Sequence, residues 1–119
     1  MTAQLISEIN SAIARLEALV APYRGAAQMT DLFPAIEHVL GITRDQILSD
    51  GRNSELAYAR QLAFYTGCKH LLISYSEMSR LLKRNHSAAF YNVRAFQNRL
   101  DTKERGAAND LELVKKRLP

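Results

Sequence analysis

Residues 74–100 read SYSEMSRLLKRNHSAAFYNVRAFQNRL. Two helical patterns flank a short polar break in this stretch. The first runs over about Ser76 to Leu82, capped by Ser74 or Ser76, with Met78, Leu81 and Leu82 turned to a core. Lys83-Arg84-Asn85 makes the turn. Asn85 is a good N-cap for a second helix over about His86 to Lys103. On that helix Ala89, Phe90, Val93, Phe96 and Leu100 fall on one side, while Ser87, Tyr91, Arg94 and Asn98 recur at spacings of 4, 3 and 4 on the other. A short support helix, a turn, and a longer helix with an outward stripe of hydrogen-bonding groups is the layout of a helix-turn-helix.

The chemistry of the turn suits that layout. A recognition helix brings its first turn against base edges in the major groove, so short polar residues are needed there for close approach. Asn and Arg offer paired hydrogen-bonding groups; His, Ser and Tyr offer single ones. Lys and Arg beside them reach phosphates and set the register. Arg84, Asn85, His86 and Ser87 at the helix start, with Lys83, Tyr91 and Arg94 nearby, supply each of these. A helical pair with a merely solvated polar face fits the same pattern.

The charge distribution points to the same stretch. The chain has 119 residues and a formal net charge of +4. Residues 1–40 sum to −2 and residues 76–105 to +4, so the excess lies where a phosphate-facing surface is sought. At 119 residues and 47% apolar composition the chain fits one globular domain.

Outward from the turn, the rest of the chain also reads as helix, so the fold is all-α. A first helix over about Ala3 to Leu19 carries Leu5, Ile9, Ala12, Leu16 and Leu19 as a heptad seam, broadened by Ile6, Ile13 and Val20. This seam either packs against its own domain or joins a second copy in a homodimer. Pro22 and Gly25 are expected to end the helix. A second helix starts near Thr30, its cap, with Pro34 at or near its first turn and Phe33, Ile36, Val39 and Leu40 as its buried stripe, and stops at Gly41. Thr43 and Gln46 have the spacing of a capping box for a short helix through Ile47 and Leu48. After the polar loop Ser49–Asn53, Ser54 caps a longer helix with Leu56, Ala59, Leu62, Ala63 and Thr66 inward. The expected division is an N-terminal helix and linker over 1–27, a helix-turn-helix domain over 28–105 and a helical tail over 106–119, whose Lys115–Arg117 touches phosphates or complements the helix dipole.

From about Thr30 to Leu100 the chain resembles the C-terminal DNA-binding domain of the bacterial replication initiator DnaA, a Trp-repressor-like helical fold. The likeness lies in Val39–Ser49, in Ala57–Ala63, in Ser76–Ser79 and above all in Arg84–Arg94, which is similar to the signature Arg-Asp-His-Thr-Thr-Val-x-His-Ala-x-Arg. The resemblance implies that Arg84 sits at the DNA backbone or groove edge, that Asn85 and His86 face bases, and that Ser87 keeps a hydroxyl. It also implies that Arg52 reaches the minor groove and that Arg60 meets a phosphate. Three departures stand out. Asn85 replaces an Asp, so an acceptor becomes donor and acceptor. Ala88 replaces a Thr and lacks its hydroxyl and methyl. Asp50 and Gly51 stand where basic loop residues are usual. Double-stranded DNA is therefore the expected partner, at a different or looser site than the family's own origin box.

Other chemistries find little support. Cys68 is the single cysteine, which excludes an internal disulfide and a cysteine-based zinc cage; a buried small side chain is expected there. His38 and His70 lack metal-ligand spacing. No Gly-rich phosphate loop is present, so no nucleotide is expected, and no catalytic constellation has recognisable context. No cofactor is implied. Without a signal-peptide start or a run of about 20 apolar residues, a cytoplasmic protein without membrane contact is expected. The rival to DNA binding is an interaction module that keeps the fold and has lost the DNA.

Overall fold

Capping chemistry sets most of the helix boundaries. The computed structural model describes residues 2–118; within the first helix, the side chains of residues 20–30 lie outside the description. Helix α1 spans Ala3–Leu40 and begins where the Thr2 hydroxyl accepts from the Leu5 N–H at 3.2 Å. It ends at Gly41, whose φ of 71° lets its N–H close onto the Glu37 carbonyl at 2.7 Å. Two separate helices were expected here; the structure has one element. The expected break at Pro22 and Gly25 and the Thr30 cap fall outside the described side chains. Pro34 lies inside α1 rather than in a first turn, with its ring on the exposed side.

Thr43 and Gln46 form the expected capping box and start α2, Arg44–Leu48. Helix α3, Ser54–Tyr65, is capped by Asn53 and not by Ser54: Asn53 is extended and its side chain accepts from the Leu56 N–H at 2.8 Å, while Ser54 is already helical. The helix runs on through a π-helical turn, Thr66–His70. Helix α4, Tyr75–Leu81, is capped by Ser74. Helix α5 is Ala88–Asp101 and α6 is Ala107–Lys116. Among the described residues there is no strand, and no helix is long and apolar enough to cross a membrane.

The core lies where α1, α3, α4 and α5 meet. Leu32 and Ile36 of α1, Leu62 and Phe64 of α3, Met78 of α4, Leu82 just after it, and Phe96 of α5 are fully buried. Phe96 packs between the rings of Tyr58 and Tyr65 at centroid distances of 5.9 and 5.1 Å, fixing α5 on α3. Helix α6 closes this body with Ala107, Leu111 and Val114, and its Asp110 accepts from the Tyr58 hydroxyl at 2.7 Å. Cys68 is buried, as expected of a small side chain, and burial pushes its thiol up to about 11.

Two expectations about packing fail. Phe90 is not in the core but 51% exposed. Ala89, Val93 and Phe96 point at α3, and one residue along a helix turns about 100° away from that line. The seam of the N-terminal helix does not pack on its own domain either: Leu5, Ile6, Ile9, Ile13, Leu16 and Leu19 are all exposed.

Candidate nucleic-acid interface

The turn between α4 and α5 is held from beneath by one small residue. Lys83 adopts a φ of 56°, the left-handed conformation that lets the chain reverse after α4. Its N–H bonds the Arg80 carbonyl at 3.0 Å, and the Arg84 N–H bonds the Ser79 carbonyl at 2.8 Å. Ser79 is 1% exposed, and its hydroxyl also accepts from the Ala89 N–H at 3.1 Å. The support helix thus fixes both the turn and the first residues of α5 through Ser79. Its size is the signal for this in the sequence, since a small residue is needed where the two helices touch.

Above that base, Asn85, His86 and Lys83 are exposed and Ser87 is half-buried. The Asn85 side-chain oxygen accepts from the Ser87 N–H at 3.2 Å and from its hydroxyl at 2.8 Å. This local turn holds His86 and Ser87 outside the helix, so α5 begins at Ala88 rather than at His86. The bond leaves the Asn85 amide N–H groups as donors to whatever lies in front of the turn. One and two helical turns on, Tyr91 and Arg94 are exposed on the same outward face, followed by Asn98. The helix ends at Asp101, short of Lys103, because Lys103 has a φ of 55°.

Arg60 and Arg84 converge on the loop between α2 and α3. Arg60 donates from Nε to the Ile47 carbonyl at 2.9 Å, from Nη1 to Gly51 at 2.7 Å, and from Nη2 to Ser49 at 2.7 Å and Gln46 at 3.4 Å. Arg84 donates from Nη2 to the same Ser49 carbonyl at 2.7 Å and to Ile47 at 3.2 Å, and its Nη1 lies 3.9 Å from Asp50. Burial and the neighbouring Arg84 charge lower the pKa of Arg60. The carbonyl oxygens compensate two like charges side by side. The loop's outer edge carries Arg52, exposed, immediately before the Asn53 cap. The structure therefore brings Arg60, Arg84 and the Arg52 loop into one unit, with Asn85, His86 and Ser87 directly after Arg84.

A shallow groove of about 340 Å³ runs along the flank of α5 between Lys69, Tyr75, Phe90, Val93, Arg94 and Gln97. The Lys69 ammonium lies 6.0 Å from the Tyr75 ring centroid. Reading of the sequence missed Lys69 and Tyr75, which are 25 and 19 positions from Arg94 in the chain and meet it only after folding. Among the described residues no group of three His, Cys, Asp or Glu side chains is placed to hold a metal ion.

A family profile described as "Bacterial dnaA protein helix-turn-helix" matches residues 30–95. The chromosomal replication initiator protein DnaA of Thermotoga petrophila is 26% identical over 95 residues, which make up 78% of this chain and 22% of that protein. The chain thus spans about a fifth of that relative's length. No solved structure matches.

Proposed function

The chain belongs to the bacterial DnaA helix-turn-helix family, and from that premise we propose that it binds specific double-stranded DNA sequences to regulate replication initiation or transcription. The family's domain is a DNA-binding, non-catalytic one. The observation that carries the finer reading is the turn: Asn85 and His86 stand exposed at the start of α5, on a base fixed by two hydrogen bonds to the buried Ser79. In this reading Asn85, His86 and Ser87 face base edges in the major groove, and Tyr91 and Arg94 extend the contact along the helix. Lys83 meets phosphate and Arg52 enters the adjacent minor groove. Arg60 and Arg84 serve the interface through the loop that they hold. The protein acts in the cytoplasm, and its protein partner is a second copy of the chain through the helix of residues 3–19.

The test is binding to duplexes selected from a random pool, measured by fluorescence anisotropy. Replacing both Asn85 and His86 by Ala should weaken the selected site by about 1–3 kcal/mol per lost base contact, with the melting temperature unchanged. Unchanged affinity and sequence preference overturn the assignment. Absence of any salt-sensitive binding at low ionic strength favours the rival, an interaction module that keeps the fold.

A further inference from the structure

Residues 3–19 of α1 present a broad apolar face with nothing of their own chain on it. Leu5, Ile6, Ile9, Ile13, Leu16 and Leu19 are between 47 and 69% exposed. A contiguous face of that kind marks an interaction surface. Resting on the reading of a second copy as the partner, we propose that this segment pairs with itself in antiparallel orientation, about a two-fold axis at Ala12.

Three features of the segment select this arrangement. First, the apolar positions are nearly palindromic about Ala12: Leu5 and Ile9 precede it by seven and three residues, Leu16 and Leu19 follow it by four and seven. Turned end for end, Leu5 of one copy meets Leu19 of the other, and Ile9 meets Leu16. Second, Ala12 is the small member of the row, so the helices approach most closely on the axis itself. Third, the charges are self-complementary in this orientation alone. Glu8 and Arg15 lie seven residues apart, on the same flank of the apolar face. Antiparallel helices bring like flanks together, so Glu8 of each copy stands against Arg15 of the other, twice about the axis. A parallel pair sets that flank against the opposite one, where Ile6 and Ile13 offer no charge. The pairing uses only residues whose side chains leave the body of the domain free, so it joins two DNA readers without covering either.

The experiment is sedimentation equilibrium of the full chain across a concentration series. The native chain should shift from monomer to dimer mass, and Ile9→Lys should stay monomeric with the helix-turn-helix domain melting as before. A native chain that is monomeric throughout overturns the second-copy reading and this inference with it. Orientation is read from charge variants. Glu8→Arg alone and Arg15→Glu alone should each weaken self-association by about tenfold, since both set like charges face to face. An equimolar mixture of the two should form a heterodimer at least as tight as the native homodimer. The Glu8→Arg, Arg15→Glu double variant should recover the homodimer. A dimer insensitive to these exchanges, or a mixture that shows no heterodimer preference, overturns the antiparallel arrangement while leaving the second copy as partner.

Discussion

Arg60 places four of its hydrogen bonds on carbonyl oxygens of residues 46–51, and Arg84 shares two of those acceptors. A guanidinium has five N–H donors, so Arg60 keeps about one for any outside group. In the proposed reading its contribution to DNA binding is indirect, since it holds the loop that carries Arg52. Arg60→Ala should destabilise the fold by about 1–3 kcal/mol, the range for losing charged hydrogen bonds at a partly buried site, as read by denaturant unfolding. Arg60→Lys should recover little, because a point charge cannot serve four carbonyls in a plane. In both variants amide exchange over Ser49–Asn53 should rise, and a DNA loss without that rise would make Arg60 a direct contact instead. Cys68 gives a second residue-scale expectation. Its thiol titrates at about 11 when folded, against an ordinary value near 9, so the unfolded chain loses this proton first as pH rises. Tyr58 is raised in the same direction, chiefly by burial and then by its bond to Asp110. Stability should fall between pH 9 and about 11, and Cys68→Ala should flatten part of that fall in a series of thermal melts.

At the scale of elements, the α4–α5 pair depends on Ser79 more than on any exposed side chain. Ser79→Ala keeps the volume small but leaves the Ala89 N–H buried without an acceptor, at a cost of about 1–3 kcal/mol. Ser79→Val adds bulk at a helix contact with no room for it and should lower the melting temperature further. For both, specific DNA affinity should drop by more than the population of folded protein accounts for, since α5 loses its fixed start. If affinity merely follows the folded fraction, Ser79 serves stability alone. Much of this architecture was legible from residue type and spacing. The Thr43–Gln46 box, the Gly41 stop, the Ser74 cap and the inward row Leu56, Ala59, Leu62, Ala63, Thr66 are local patterns with local causes. The misses have physical reasons too. Asn53 and Ser54 are both good caps, and backbone conformation alone chooses between them. The start of α5 slid by two residues because Asn85 closes a turn on Ser87 instead of capping a helix at His86. The signature at Arg84–Arg94 was visible as a contiguous run of residue types, whereas the Arg60 and Arg84 anchorage and the Lys69–Tyr75 flank depend on contacts between distant elements.

Across the whole molecule the modest charge of +4 becomes a quantitative expectation once exposure sorts the cations. Arg60 and Arg84 are engaged with loop carbonyls, and Arg99 is paired with Glu104 at 2.6 Å and with Gln61 at 2.7 Å. Around the turn and its flanks, Arg80 is exposed but paired with Glu77, and the exposed cations that remain are Arg52, Lys69, Lys83 and Arg94. Four phosphate contacts give a slope of about −4 for log affinity against log salt concentration. Joining two copies through residues 3–19 changes that number without touching the DNA surface. A dimer with both readers engaged contacts twice as many phosphates, so its slope should be about −7 on a duplex carrying two sites. Ile9→Lys removes the pairing face and leaves every residue of the turn in place. It should therefore return the slope to about −4 on the same duplex, and weaken binding most when the two sites are adjacent. On a duplex with one site the native chain and Ile9→Lys should have equal slopes. Anisotropy titrations at several salt concentrations separate the terms. A steep slope that survives Ile9→Lys would place the extra cations within one copy, with Lys115–Arg117 at the end of α6 one reserve, and would detach the N-terminal helix from DNA binding.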